Sequence, residues 1–187
     1  GAAASQAADY GLAERQLNLA LDAETDPTGR ALLYATLAEN DYLRCRGVHG
    51  IEMARRGMAE LGHPLPRNPV ALVVTTVALF VWGLVLGWLP QRAVQASGAR
   101  WERYRLRAQL SMMVAYNAGI SLQQPLLVMT NLRVLHLRHR LGHGMEYVRA
   151  LLGPAVVASV IGRRERARRL LARAVAVAEE IGDLRLL

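Results

Sequence analysis

Residues 31–64, ALLYATLAENDYLRCRGVHGIEMARRGMAELGHP, decide the fold. Apolar residues recur here three and four apart, the spacing of one helical face. Cys45-Arg46-Gly47 interrupts the pattern, and Gly62 with Pro64 and Pro66 ends it. The stretch predicts a helix over 30–44, a turn, and a helix over 48–61. A large residue stands at Tyr34 and a leucine at Leu37. Small residues stand at Ala38, Gly50 and Gly57, where closely crossing helices leave little room for side chains.

Counted from Ala31, these are positions 4, 7, 8, 20 and 27 of a 34-residue unit. The stretch resembles the tetratricopeptide repeat, a helix–turn–helix of that period. Positions 20, 24 and 27 recur as Ala13, Leu17 and Ala20, as Leu127, Asn131 and Val134, and as Ala167, Leu171 and Ala174. The position-20 residues Ala13, Gly50, Leu127 and Ala167 are spaced by 37, 77 and 40, and 77 is about two repeats. Further helices are predicted over 7–22, 101–118 with 125–141, and 145–161 with 163–181. In the last pair Leu151 takes position 4 and Ala155 position 8. Pro154 at position 7 should kink or split its helix. The expected fold is all-α: a TPR-like α-solenoid of roughly five antiparallel helix pairs, the first incomplete. It forms one domain over 1–187.

Composition agrees. The 187 residues are 52% hydrophobic, which excludes disorder, and only 5% aromatic, which argues against a β-rich fold. One domain of this length needs no disulfide staple. The lone Cys45 forms no internal bridge and fits a reducing, cytoplasmic compartment. Gly1–Gln6 lacks the basic start and apolar stretch of a signal peptide, and the missing initiator Met reads as a fragment or a processed chain.

The middle of the chain departs from the repeat. Residues 69–89, PVALVVTTVALFVWGLVLGWL, carry no charge, within an irregular apolar segment 67–92 flanked by Arg67 and Arg92. That length and polarity satisfy the test for a membrane span. The segment also falls where a repeat's helices are expected. This favours a buried helix, or two short ones broken near Gly83 or Gly87. A membrane-inserted helix, with an inner-membrane location, is the alternative, and a homodimer through 69–89 is a third use.

Charge is uneven. No lysine occurs, so all 23 basic residues are Arg, which fits a GC-rich bacterial source. Residues 1–60 hold nine acids and six Arg, net −3, and residues 61–187 hold six acids and 17 Arg, net +11. A basic surface of this kind attracts acidic partners. The densest run is Arg163, Arg164, Arg166, Arg168, Arg169 and Arg173, with Ala167, Leu170, Leu171 and Ala174 turned inward. It lacks the interleaved aromatics that stack on bases, so it reads as a solvated face rather than a nucleic-acid site.

No catalytic or cofactor motif is present. Without lysine there is no phosphate-binding G-x-x-x-x-G-K-[ST] loop, and no G-x-G-x-x-G or kinase catalytic loop occurs. His136, His139 and His143 lack a carboxylate or Cys at matching spacing, so no metal site is expected. Asp22, Glu24 and Asp26 resemble half a calcium loop without its glycine and closing Glu, and read as an acidic turn. Cys45 has no identifiable catalytic partner. The chain is expected to be non-catalytic, with no cofactor.

Residues 54–65, ARRGMAELGHPL, end a repeat on an LG-x-x-LP signature. With 103–183, this resembles the C-terminal helical-repeat region of bacterial multidomain signalling proteins. Those join a kinase, cyclase or regulator to a STAND-type ATPase module. The resemblance implies a cytoplasmic interaction or sensor scaffold that helps regulate an attached enzyme, and it carries no catalytic residue into this chain. In this register the first helix of each pair lines a partner groove. Its residues are Leu32, Ala35, Glu39, Tyr42 and Leu43 in the clear repeat, and Arg149, Leu152, Val156, Ser159 and Val160 in the last pair. The groove suits a protein or peptide partner, an apolar or acidic helix, or segment 69–89 itself.

Overall fold

A computed structural model of the chain describes residues 9–88, 97–141, 145–160 and 162–182. These residues hold eight α-helices and no strand: α1 Tyr10–Ala23, α2 Pro27–Leu43, α3 Gly47–Glu60, α4 Pro69–Trp88, α5 Gly98–Ile120, α6 Gln124–Leu141, α7 Met145–Val160 and α8 Arg164–Ile181. Local chemistry sets several ends. The Asp9 carboxylate accepts from the Leu12 N–H to start α1. Asp26 accepts from the Gly29 N–H, with Pro27 opening α2.

Three helix pairs share one turn. α2 joins α3 through Cys45 at φ 54°, α5 joins α6 through Leu122 at φ 55°, and α7 joins α8 through Gly162 at φ 77°. In each, the next residue's N–H reaches back five residues to a carbonyl: Arg46 to Asp41 at 2.8 Å, Gln123 to Ala118 at 2.9 Å, and Arg163 to Ala158 at 2.8 Å. This is the left-handed helix ending in which one residue with positive φ lets the chain reverse. Glycine adopts it freely at 162, whereas Cys45 and Leu122 take a conformation that costs an L-residue about 1 kcal/mol or more. The three left-handed residues are spaced by 77 and 40, matching the sequence period.

The pairs pack in chain order. α2 lies on α3, α5 on α6, and α7 on α8. α5 meets both α2 and α3, and α7 meets both α5 and α6. α1 lies on α2. The main core gathers Tyr34, Leu37, Ala54, Met58, Leu110 and Val114 between α2, α3 and α5. Asn117 pins this seam. Its side-chain N–H groups donate to the Ala38 carbonyl of α2 at 3.2 Å and the Met113 carbonyl of its own helix at 2.9 Å. A Cβ at Gly50 would stand 2.3 Å from the Asn117 amide oxygen, so the approach of α3 to α5 requires glycine there.

The middle of the chain differs from expectation. Residues 69–88 form one helix rather than a repeat's two, so the described residues hold three closed pairs plus the single helices α1 and α4, not five pairs. Gly83 and Gly87 stay within this one helix, although a glycine inside a helix costs roughly 1 kcal/mol. Nor is α4 buried. Leu72 and Leu79 pack against the main core, and the His136 ring N–H donates to the Leu79 carbonyl at 2.8 Å. On the outer side Val70, Val73, Val74, Val77, Val81 and Trp82 are more than half exposed. Among the described residues no helix is long and apolar enough to cross a membrane. α4 instead lies along α6, which carries Arg133 and Arg140. Pro154 does not split α7, and the helix runs through it from Met145 to Val160.

Candidate functional site

The first helices of the three pairs, α2, α5 and α7, touch one another in order. Their outer faces therefore form one surface. On α2, Leu32, Glu39, Tyr42 and Leu43 are exposed, whereas Ala35 is fully buried and faces the core. Helical geometry gives the reason: Ala35 lies four residues after Ala31 and three before Ala38, both fully buried, so its side chain shares their face. On α7, Val156 and Ser159 are exposed, and Leu152 packs half-buried against the cluster around Val148 and Leu151. The side chains of Arg149 and Val160 lie outside the described residues.

Sequence reasoning left out the middle pair's share. The Tyr42 and Tyr116 rings stand 5.5 Å apart between centroids, tilted by 39°, an aromatic pair across α2 and α5. Both rings remain partly open, 37% and 41% exposed, and Ile120 beside them is exposed as well. The signal was in the register. Counted back from Leu127 at position 20, Tyr116 takes position 9 and Ile120 position 13, both groove positions. The surface offers the Tyr42–Tyr116 pair, with Leu43 and Ile120 exposed next to it on the same two helices and Leu32 exposed further along α2.

Behind Tyr42 sits an ionic network. Asp41 is buried, with its carboxylate 2.6 Å from the His49 ring nitrogen Nδ1 and 3.5 Å from Arg46 Nε. Glu14 of α1 takes Arg44 and Arg46 together, Arg46 at 3.0 Å. Burial alone pushes the Glu14 carboxyl up, but the two guanidiniums outweigh it and hold it below the usual carboxylate range. Arg30 adds a bond to Glu60 at 2.9 Å and one to the Leu21 carbonyl at 3.1 Å. The Asp41 and Glu14 contacts clamp the turn between α2 and α3 and fasten α1 to it, and the Arg30 contacts tie the opposite end of the pair. Sequence reading missed them because they join residues five to 32 apart, beyond the reach of a helical period. Cys45, at the tip of that turn, is exposed.

The remaining sequence candidates disperse. His136 bonds the Leu79 carbonyl, the His139 side chain and His143 lie outside the described residues, and no group of three metal-ligating side chains gathers among the described residues. Glu24 accepts from the Thr25 and Asp26 N–H groups, and Asp26 caps α2, so this acidic turn is occupied with its own backbone. Arg163, Arg164, Arg166, Arg168, Arg169 and Arg173 are all exposed on α8. Leu171, expected inside, is exposed, while Ala167 and Ala174 are buried. Segment 69–88 does not fill the groove. It packs on α6, the second helix of its pair, because Leu72 and Leu79 join the core from that side.

Compared with protein families, curated proteins and solved structures, the chain matches none.

Proposed function

We propose that this chain is a non-catalytic interaction scaffold, a TPR-like α-solenoid that serves as a regulatory, cytoplasmic region of a larger bacterial signalling ATPase or kinase. The observation that carries the reading is the exposed apolar cluster around Tyr42 and Tyr116, on adjacent first helices. The repeated left-handed turn at 45, 122 and 162 supports the solenoid part of it. Large apolar and aromatic side chains held on rigid helices suit an apolar helical peptide, which loses little entropy when it docks on a preformed surface. Peptide display against the chain tests this. Selected helical peptides should bind at least about tenfold more weakly to Tyr42→Glu, the cost of burying an unpaired charge. They should be unaffected by Leu171→Glu, on the exposed face of α8. Equal binding to both variants would sink the groove assignment.

A second reading rests on the bare apolar face of α4. It places α4 in the surface of an anionic membrane, with the arginine-rich region against the headgroups. Co-sedimentation with phosphatidylglycerol vesicles checks it. Val77→Asp should release the chain, and sedimentation unchanged by that substitution would refute it.

A further inference from the structure

An apolar cavity of about 350 Å³ lies where α4, α6, α7 and the start of α8 meet. Its volume falls at the lower end of ligand pockets, roughly 300–1,000 Å³. α6 supplies Val128, Leu132 and Leu135, α4 supplies Phe80, and α7 supplies Pro154 and Ala158. The proline that breaks the repeat pattern therefore lines this space. Asn131 is the one polar side chain of α6 on the lining, and its amide already donates to the Leu127 carbonyl at 2.8 Å. The rest of the interior lining is apolar, with the Asn131 amide as its one polar group.

The mouth is different in kind. Arg163 and Arg166, three residues apart at the start of α8, border the cavity. Both are exposed, and among the described residues neither makes an ion pair. No side chain caps α8 either, so its first N–H groups add partial positive charge at the same end. No acid lines the cavity. A ligand that satisfies both parts has an apolar tail and an anionic head.

We infer that this cavity binds a single-chain anionic amphiphile of the fatty-carboxylate class, tail between Phe80, Leu132 and Pro154, head on Arg163 and Arg166. The tail displaces water from an apolar wall, and the head forms charge-assisted bonds to guanidinium groups. Such a ligand bridges α4 and α6 to the last pair. This does not depend on the groove reading, since the cavity faces α4 and not the Tyr42–Tyr116 surface.

Calorimetric titration of the 187-residue chain with decanoate tests it, with decanol and decyltrimethylammonium as comparison probes. One decanoate should bind per chain. Decanol should bind about tenfold more weakly, the value of one bond to a charged group, and the cation not at all. Arg163→Gln with Arg166→Gln, both on the surface, should weaken decanoate by about tenfold and leave decanol unchanged. Leu132→Trp should abolish both while helix content by circular dichroism persists. Val77→Glu, on the outer face of α4, should change neither. The inference is overturned if the cation binds as well as decanoate. It is also overturned if binding follows Val77→Glu rather than Leu132→Trp, which places the probe on the outer face. Doubling of the mass on titration would likewise overturn it, since a second copy would then occupy the site.

Discussion

The α2–α3 pair and the helix α4 follow one another in the chain and are built on opposite principles. The pair turns small residues toward its neighbours and large ones into a shared core, and it closes its turn with buried ionic contacts. α4 is apolar on every side. Half of it meets α6, and the other half meets nothing described. Amphipathic patterning tells a helix which face to bury, and a helix without it is oriented only by whichever neighbour offers a fit. The difference shows that the α2–α3 pair is held by specific close approaches, whereas α4 is held by bulk apolar contact and leaves a surplus.

Breaking the pair should have the largest effect. Leu110 is fully buried opposite Gly57, so Leu110→Ala should cost about 3 kcal/mol in urea denaturation, loss of transfer energy plus a cavity. Gly50→Ala should cost about 2 kcal/mol, because the Asn117 amide it would strike is held by two hydrogen bonds and has no room to retreat. A mutant melting within the error of the wild type would show that α3 and α5 slide apart freely. Asp41→Asn should cost about 2 kcal/mol, since it removes the charge that His49 and Arg46 satisfy in a buried place. Thermal melting at neutral pH reads it.

Acid sharpens the comparison further. The Glu14 carboxyl is held below its ordinary value by Arg44 and Arg46 against burial, so its contribution is complete above pH 4.5, the ordinary value, and is lost as pH falls below it. His63, after α3, is pushed below its ordinary 6.5 by burial, with Arg107 and Arg133 adding. There the unfolded chain holds the proton more tightly, so stability rises with pH below about 6.5 and is complete above it. Melting temperature against pH should fall in two stages on acidification. Glu14→Gln should remove the lower stage alone, and His63→Asn the upper.

The outer face of α4 should show the smallest effect on folding. Val74→Asp with Val77→Asp should shift stability by no more than about 0.5 kcal/mol, as exposed sites do, while lowering any self-association seen by sedimentation. A large loss of stability would mean that this face is packed, and the contrast between the two regions would collapse.

Helix positions were legible in the sequence because they depend on local pattern. The apolar period, Asp26-Pro27 before α2 and the breaks at Cys45, Gly62 and Gly162 place most ends within a few residues. Ala35 escaped the reading because a groove position and a core position differ by one residue's rotation. The Tyr42–Tyr116 pair was half legible, through the register.

The all-α class and the placement of the helices were therefore readable from the amino-acid order, because interactions within about four residues set them. Only the tertiary structure decided which face of α4 stays bare, that His49 and Arg46 meet on Asp41, and that Pro154, Phe80 and Arg166 surround one cavity. Those outcomes join residues five to 86 apart, and their energies depend on which helices meet. An uncharged run such as 69–88 favours burial in general and names no partner. The choice of α6 came from the shape and chemistry that α6 presented: a seat for Leu72 and Leu79 and a ring N–H from His136.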